Sequence, residues 1–504
     1  MNLNYLTQTI ATCEALLKQE QFQPETWQKS CRDLGNILQG LGRFDEAIVW
    51  HSLALESKPN LVEVYAQIGQ LYARESQWQP AINSLKQALE YQPNSVQLYS
   101  TLAKIYNQLG EQEAEMECWY QATQINPNLV NAGGYYKLAK AFYRRNKLDK
   151  AISCYQRAIE QSEAVVNEVT ANSTATSQRN FEPHYELAEI WLRQRQFNQA
   201  AACYQQILAQ DPNQSRAHHK LGTIYLQQQQ FEEAIAEFRQ TIKIEPEFPW
   251  GYRDLVKTLI QLQKWDEAIA TCHAIINLVE EYPWVYVQLG NALREKGRIP
   301  DAVASFQKAC VLKGWQECGS KDYYFTQDNF SFRISWWQSC LQSLADRAEI
   351  RALEVGSHQG MSTCWLLDKI LTHPSASLTC IDSSFDRYFE SNLDKTQARS
   401  KVTLMKGEIQ QLLATLVPNT YDVVNLQDRC KLTTQSEQNA VSIWQLLKVG
   451  GIAIFNDYGW INPTNPSQNP KLGIDRFLES VKNQWEIVSH APQVYQLIIQ
   501  KKYE

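Results

Sequence analysis

The chain has 504 residues, a formal net charge of −6 and an apolar fraction of 44%, which is enough for two or more domains with hydrophobic cores. This mild charge argues against a general binder of nucleic acid or anionic membranes, and no apolar run approaches the roughly 18 residues of a membrane-spanning helix. The twelve cysteines have neither C-x-x-C nor zinc spacing, and the N-terminal stretch lacks the pattern of an export signal. We therefore expect a cytoplasmic protein with buried thiols.

A repeat with a spacing of 34 residues runs from Gln28 to Lys313. A small residue marks each unit, at Gly35, Gly69, Ala103, Ala139, Ala188, Gly222, Val256 and Gly290. A second small-residue series follows twelve positions later, at Ala47, Ala81, Ala151, Ala200, Ala234, Ala268 and Ala302, with Glu115 as the exception. A third series is large, at Trp119, Tyr155, Tyr204, Phe238 and Phe306, with His51, Leu85 and Cys272 as substitutes. Such a period predicts stacked helical hairpins.

Helix packing explains the three series. A small residue lets two antiparallel helices approach closely, a large one fills the space beside it, and prolines such as Pro59 end the second helix. These residues resemble the tetratricopeptide repeat family, in units such as VYAQIGQLYARESQWQPAINSLKQALEYQPN. We predict about eight repeats over residues 28–313, preceded by a capping helix at 1–27. A polar loop at 164–180 and a two-residue insertion at Gly133–Gly134 interrupt the array.

The resemblance implies a groove, lined by the first helix of each repeat, that binds a protein or peptide partner. A clamp for a peptide carboxylate needs basic and asparagine residues over three repeats. Arg32 and Asn36 fit its first part, whereas Gln67, Gln97 and Thr101 do not fit the rest. An asparagine ladder is also absent, because no unit carries Asn two positions before its small residue. The sequence therefore predicts a groove partner without naming its chemistry.

The last part of the chain, residues 314–504, alternates short apolar strands with helical segments. The strand candidates end in polar residues and are SLTCID (377–382), KVTLMKG (401–407), YDVVNLQ (421–427) and GIAIFND (451–457). This alternation predicts a parallel sheet covered by helices on both faces. We expect Gly450 and Gly451 to cap the helix before the last of these strands. The segment WEIVSHAPQVYQLIIQKK (485–502) predicts an antiparallel hairpin at the sheet edge.

The stretch ALEVGSHQGMSTCWLL (352–367) predicts a buried strand, a glycine turn and the start of a helix. Its pattern is E-x-G-x-x-x-G, with Glu354, Gly356 and Gly360, and it lacks the glycine spacing of the dinucleotide fingerprint. Ligands of parallel sheets bind at the carboxyl ends of the strands. At that edge Glu354 suits a cationic ligand group, and Asp382, which ends the next strand, can accept both hydroxyls of a ribose.

These motifs, with the lead-in YYFTQDNFSFRISWW (323–337), resemble the class I S-adenosylmethionine-dependent methyltransferases in their small-molecule O-methyltransferase-like branch. The resemblance implies S-adenosylmethionine as the cofactor. It assigns cofactor binding to Glu354, Gly356, Ser357, Gly360, Ser362, Asp382, Gly407 and Glu408. We name His358 and Asp457 as catalytic candidates, because an imidazole is a common base at neutral pH and Asp457 keeps one strand-end carboxylate of the branch.

The sequence departs from that branch at the ends of the fourth and fifth strands. Gln427 and Cys430 replace its aspartate and histidine, and Asn456 replaces one of two acids. A hard dication prefers several charged oxygen ligands, so we predict no metal site and metal-independent chemistry. Asp428 would restore a carboxylate only through a local bulge, because neighbouring strand residues point to opposite faces.

We therefore predict a multidomain chain, in which an all-α tetratricopeptide solenoid precedes an α/β, Rossmann-like methyltransferase fold with a C-terminal antiparallel hairpin. The favoured function is an S-adenosylmethionine-dependent methyltransferase whose solenoid recruits a protein or carrier-bound substrate, with an unknown methyl acceptor. The alternative is a non-catalytic scaffold with a degenerate, cofactor-binding domain. The intact cofactor residues favour the first, and the lost aspartate and histidine favour the second. Nucleic acid and membranes are not expected partners.

Overall fold

The computed structural model describes residues 11, 15, 24–170, 180–427, 432–460, 462–465, 467–491 and 495–503. The chain divides into two compact units, Met1–Pro212 and Asn213–Glu504. Each unit has its own organisation, and the two are taken in turn.

Two predicted segments of the array fall largely outside the described residues. They are the capping helix at 1–27 and the central part of the loop at 164–180. The first part of that loop prediction is wrong, because the helix Leu148–Thr170 continues through residues 164–170. These residues include no proline or glycine that would end the helix.

The first unit consists of consecutive helices packed in pairs. They are α1 (Pro24–Gly40), α2 (Phe44–Ser57), α3 (Val62–Arg74), α4 (Trp78–Tyr91), α5 (Val96–Leu109), α6 (Gln112–Ile125), α7 (Ala132–Arg144), α8 (Leu148–Thr170), α9 (Glu182–Arg193) and α10 (Phe197–Gln210). The second unit begins with three further pairs, formed by α11 (Ser215–Gln227), α12 (Phe231–Ile244), α13 (Pro249–Gln261), α14 (Trp265–Leu278), α15 (Pro283–Glu295) and α16 (Ile299–Leu312).

The small and large residues of the repeat meet in the hairpins that contain Gly35, Gly69, Gly222 and Gly290, which confirms the packing prediction there. A Cβ added to Gly290 would lie 2.5 Å from the ring of Phe306, and one added to Gly35 would lie 2.6 Å from the ring of His51. The alanines of the second series are fully buried. Only a residue without a large side chain allows this close approach of two helices.

A fourth periodic feature lies in the turn between the two helices of each hairpin. One residue of every turn has a left-handed backbone, with φ between +58° and +77°; these residues are Gly42, Ser76, Gly110, Asn146, Arg195, Gln229, Gln263 and Gly297. Glycine adopts this conformation without steric cost. Because five of the eight positions are not glycine, the sequence pattern did not reveal the series.

Beyond α16, the second unit forms a seven-stranded sheet. Its strands are β1 (Arg351–Val355), β2 (Ser377–Asp382), β3 (Val402–Lys406), β4 (Tyr421–Leu426), β5 (Leu447–Phe455), β6 (Trp485–Ala491) and β7 (Gln496–Lys501). The strand order is β3-β2-β1-β4-β5-β7-β6. Strands β1 to β5 are parallel, and β7 is antiparallel to both of its neighbours. The predicted fold class, with its C-terminal hairpin, is confirmed.

Helices cover both faces of this sheet. They are α17 (Glu317–Ser320), α18 (Ile334–Leu341), α19 (Met361–Lys369), α20 (Phe389–Lys395), α21 (Ile409–Ala414), α22 (Thr433–Leu446) and α23 (Pro470–Ser480). Alternate residues of β1 enter opposite cores: Ala352 packs with the cluster that contains Trp337 and Trp365, and Leu353 with the one that contains Phe477. No described helix of the chain is both long enough and apolar enough to span a bilayer.

The predicted glycine cap before β5 is wrong. Helix α22 ends at Leu446 and β5 begins at the next residue, so Gly450 and Gly451 lie inside the strand. The pairing with β4 jumps from Tyr421↔Leu447 to Val423↔Ile452. The extra residues on β5 therefore form a bulge, and Gly450 takes a φ of +84° within it.

Candidate functional site

The turn after β1 brings the ends of three strands together. The N–H of Gly356 donates to the carbonyl of Ile381, and the N–H of Gln427, just beyond β4, donates to the carbonyl of Val355, both at 2.9 Å. Gly356 has a φ of +85°, and a Cβ there would overlap the backbone carbonyl oxygen of Gln427. Glycine is therefore needed at 356 for its backbone conformation and for the close approach to β4.

Asp382, at the end of β2, holds this turn in place. Its Oδ2 accepts hydrogen bonds from the backbone N–H groups of Ser357 at 3.0 Å and His358 at 3.4 Å, and its Oδ1 accepts one from Ser384 at 3.1 Å. Asp382 is only 1% exposed. Backbone bonds to a buried carboxylate are strong because the acceptor is charged. The residue expected to meet a ribose thus also organises the glycine turn.

Glu354 lies inside the domain, beneath the turn. It is fully buried, and its carboxylate accepts hydrogen bonds from the hydroxyl of Thr363 and from Nδ2 of Asn425, the latter at 2.9 Å. Burial raises the pKa of the Glu354 carboxyl, whereas hydrogen bonds from Ser362, Thr363 and Asn425 lower it. The structure thus ties Glu354 to α19 and β4, and the expected contact with a cationic ligand group stays a prediction.

Four polar side chains form a buried row across the sheet, Glu354–Asn425–Asn456–Gln496. Nδ2 of Asn456 donates to Oδ1 of Asn425, and Nε2 of Gln496 donates to Oδ1 of Asn456, both at 2.6 Å. All four residues are at most 3% exposed. This buried polar row joins β1, β4 and β7 to Asn456, the residue directly after β5, and it gives Asn456 a structural role.

The remaining predicted cofactor residues lie at neighbouring strand ends. The N–H of Gly407 donates to the backbone carbonyl of Asp382 at 3.1 Å, which places the end of β3 beside that of β2. Glu408 caps α21, and its carboxylate accepts a bond from the N–H of Gln411 at 2.8 Å. Gly360, with a φ of +82°, closes the turn and precedes α19, whose first turn contains Ser362.

The two catalytic candidates stand on different strand ends. His358 follows β1 and Asp457 follows β5, with β4 between them, so the strand ends are roughly 10 Å apart. Both residues have left-handed backbones, with φ of +49° and +59°. Such conformations are uncommon for residues other than glycine and cluster at functional sites.

Arg333 is a candidate that the sequence analysis did not single out. It ends a short 3₁₀ turn before α18, is 5% exposed, and places Nη2 3.8 Å from Oδ1 of Asp457. Burial lowers the pKa of its guanidinium, while Asp457 and Asp328 raise it. Within the described residues, Nε of Arg333 has no hydrogen-bond partner. The sequence signal was present, because Arg333 is the one arginine of the lead-in YYFTQDNFSFRISWW.

The residues that follow β4 are not all described. Asp428 and Cys430 lie outside the described residues, so the predicted alternatives for Asp428 are not tested. In the part of the chain that is described, no group of three or more His, Cys, Asp or Glu side chains is placed to hold a metal ion.

Comparison with protein families finds matches in both parts of the chain. A methyltransferase domain model matches residues 353–458. Tetratricopeptide repeat models match residues 62–95, 96–129, 134–162, 185–247 and 225–279. The methyltransferase match includes the glycine turn, Asp382, Gly407, Glu408 and Asp457.

Solved structures of MamA proteins share a low similarity with the chain. One crystal structure of MamA is 18% identical, with a TM-score of 0.31, over 36% of this chain and 92% of that one. MamA from Desulfovibrio magneticus RS-1 is 17% identical, with a TM-score of 0.30, over 37% of this chain and 96% of that one. Nothing about function follows from similarity at this level. No curated protein matches the chain.

Proposed function

Starting from a chain that joins tetratricopeptide repeats to a methyltransferase domain, we propose that it is an S-adenosylmethionine-dependent methyltransferase. The position of the glycine turn carries this proposal. Strands β2 and β3 lie on one side of β1, and β4 and β5 on the other, so the strand order reverses between β1 and β4. Ligands of such sheets bind at the carboxyl ends of the strands, at this reversal. The turn Gly356–Gly360 lies there.

The cofactor would lie along the ends of β1, β2 and β3, and the residues present fit a nucleoside. Gly356 and Gly360 carry no side chains, which allows close approach to the backbone. Asp382 and Glu408 place carboxylates at adjacent strand ends, where the hydroxyl and amino groups of an adenosine donate hydrogen bonds. We assign Glu354 and Ser362 a supporting role, because their mutual contact fixes the start of α19 beneath the turn.

The acceptor would lie above the end of β4, between His358 and Asp457. When bound, the cofactor supplies a methyl group on an already activated sulfonium, so correct positioning provides much of the rate. We propose that His358 takes the acceptor proton. We also propose that Asp457 orients the acceptor, held by Arg333 at 3.8 Å. This chemistry needs no metal ion.

The solenoid would recruit a protein or carrier-bound methyl acceptor. This part of the proposal is supported by the repeat matches and by the implied groove. We further propose a cytoplasmic location. All ten cysteines that the structure describes are unpaired, as expected in a reducing compartment.

Isothermal titration of the full-length protein with S-adenosylmethionine and with its demethylated product tests the cofactor assignment. We expect both ligands to bind, and Asp382→Ala to weaken binding by about 1–3 kcal/mol, the range for a hydrogen bond to a charged group. Asp394→Ala, which removes an exposed carboxylate on α20, should leave affinity unchanged. Failure of the wild-type protein to bind either ligand would refute the proposal.

Methyl transfer from labelled cofactor to acceptors in a fractionated cell extract tests the metal assignment. We expect transfer to persist in excess chelator. Transfer that the chelator abolishes and Mg²⁺ restores would show that Asp428, Asp457 or their neighbours form a metal site after all.

A second candidate function is a non-catalytic scaffold that binds the cofactor. It is favoured by the amides at Gln427 and Asn456, and by the engagement of Asn456 in the buried polar row. If the chain is such a scaffold, it should bind S-adenosylmethionine and its demethylated product in the titration but transfer no label to any extract fraction. Labelled product that His358→Ala or Asp457→Ala abolishes would exclude it.

A further inference from the structure

A cavity of about 540 Å³ opens between α6 and α7 in the first unit. Apolar side chains line its interior, among them Met116, Trp119, Val130 and Leu138. Its size lies within the range of roughly 300–1,000 Å³ that is common for ligand sites. The cavity is therefore large enough for one or two peptide side chains.

Two departures from the repeat pattern coincide at this cavity. Glu115 occupies a position where the other repeats carry a fully buried alanine, and it lines the cavity. The insertion at Gly133–Gly134 also lies here, and Gly134 lines the cavity as well. A larger residue at the packing position and a longer connection both keep adjacent helices apart. Both departures from the repeat pattern therefore lie in the lining of this cavity.

Three basic residues line the cavity at more than ion-pair distance from the described carboxylates, although Glu113 interacts electrostatically with Arg145 from further away. Lys137, Arg144 and Arg145 make no ion pair with any described residue. The guanidinium of Arg145 contacts only neutral acceptors, Oε1 of Gln112 and the carbonyl of Ala141, both at 3.4 Å, and the sulfur of Met116 at 3.5 Å.

Two of the three carboxylates close to the cavity pair with cations outside its lining, because Glu113 and Glu117 pair with Lys147 and Lys150. The third, Glu115, accepts a hydrogen bond from Nδ2 of the neutral Asn107 at 3.1 Å and keeps its charge, so the lining carries three positive charges and one negative charge. An apolar interior beside three unpaired cations is complementary to a ligand that carries both a large apolar group and negative charges.

We propose that this cavity binds an acidic peptide segment of the recruited partner, with an aromatic or large aliphatic side chain inserted between α6 and α7. Carboxylates on either side of that anchor pair with Lys137, Arg144 and Arg145. The choice of a peptide as the ligand rests on the proposed function, in which the solenoid recruits a protein. The inference is independent of methyl transfer, because binding is measured without cofactor.

Fluorescence anisotropy with the full-length protein and a fluorescein-labelled Glu-Asp-Phe-Asp-Glu peptide tests this proposal. We expect saturable binding that weakens at least tenfold in the double variant Lys137→Gln/Arg144→Gln and that also weakens with added NaCl. Lys29→Gln, which neutralises an exposed lysine on α1, should bind as the wild type does. Absence of saturable binding, or equal affinity in the double variant and the control, would overturn the proposal.

The apolar half of the site is tested separately. Ala141→Phe fills the cavity from α7 without changing its charge, and a peptide with alanine in place of phenylalanine removes the anchor. Each change should weaken binding at least tenfold, with the helical circular dichroism unchanged. A neutral peptide, Gln-Asn-Phe-Asn-Gln, that bound as tightly as the acidic one would contradict the assigned ligand class. These outcomes leave the cofactor titration unaffected, so failure of this proposal and failure of the methyltransferase proposal are distinguishable.

Discussion

The solenoid and the sheet domain depend on contacts of very different range in the sequence. In the solenoid, Gly290 packs on Phe306, and Gly35 on His51, each sixteen positions apart. In the sheet domain, the three hydrogen bonds of the buried polar row span 71, 31 and 40 positions. A short contact that recurs in every unit produces a visible period, whereas a long-range contact that occurs once produces none.

The glycines of the two regions also differ in what they pack against. Gly290 avoids the side chain of Phe306, which can shift its rotamer at some cost. Gly356 avoids the backbone carbonyl of Gln427, the residue directly after β4, and this carbonyl cannot move without displacing the end of the strand. Substitution should therefore be more damaging in the sheet domain than in the solenoid, and four predictions test this difference.

The largest effect is expected for Gly356→Ala. A left-handed alanine costs about 1–2 kcal/mol, and the overlap with the carbonyl of Gln427 forces a backbone shift that costs about 1–3 kcal/mol more. Urea unfolding should show a loss of roughly 2–5 kcal/mol in the sheet domain. Gly360→Ala is the matched control, because its Cβ would meet side chains and no backbone atom: the ring of Phe389 at 3.1 Å and Sγ of Cys364 at 3.8 Å. Equal losses in the two variants would remove the distinction between backbone and side-chain contacts.

The second prediction concerns the buried polar row. Asn425→Leu keeps a similar volume but leaves Glu354 and Asn456 without one partner each, at a cost of about 2–4 kcal/mol. Gln411→Leu, at an exposed position on α21, should change the free energy of unfolding by less than about 0.5 kcal/mol. A small effect of Asn425→Leu would mean that the row contributes little to stability.

The third prediction uses pH to examine the solenoid. Burial, with a smaller contribution from Arg32, lowers the pKa of His51 from 6.5 to about 4. The unfolded chain binds a proton at this residue below pH 6.5, whereas the folded chain does not. Stability is therefore lost as the pH falls from about 6.5 to about 4, by about 2 kcal/mol at pH 5.

His51→Leu, which introduces the residue found at Leu85 in the next repeat, should remove this part of the pH dependence in urea unfolding. His184, whose pKa burial also lowers to about 4, should keep its own contribution in that variant. A pH profile identical to that of the wild type would contradict the assignment to His51.

The smallest effect is expected at the turns of the solenoid. Gln263 has a φ of +58°, so Gln263→Gly should relieve backbone strain and stabilise the second unit by up to about 1 kcal/mol. Gln263→Ala keeps a Cβ and should be neutral. Thermal unfolding of both variants measures the difference, and destabilisation by glycine would mean that the flexibility of the unfolded chain dominates.

Periodicity in the sequence was sufficient to predict the repeats, the packing of small residues on large ones, and the α/β class of the last part of the chain. These predictions succeed because neighbouring helices and alternating strands impose regular spacing on apolar residues. The glycine turn was likewise predicted at the correct strand end. Its two glycines and Asp382 lie together because they follow or end two adjacent parallel strands, β1 and β2, at the same edge of the sheet.

Other properties arise only when distant segments meet. The sequence did not indicate the protein partners of Glu354, which are Thr363 and, on another strand, Asn425. The helix cap predicted at Gly450 and Gly451 is a bulge in the structure, because β5 pairs with β4 on both sides of the two glycines, at Leu447 and again at Ile452. Arg333 gained its importance from Asp457, over a hundred residues away. Hydrogen bonds and burial depend on which groups are close in space. A contact between distant residues that occurs only once produces no periodic pattern, so it cannot be predicted from spacing along the chain.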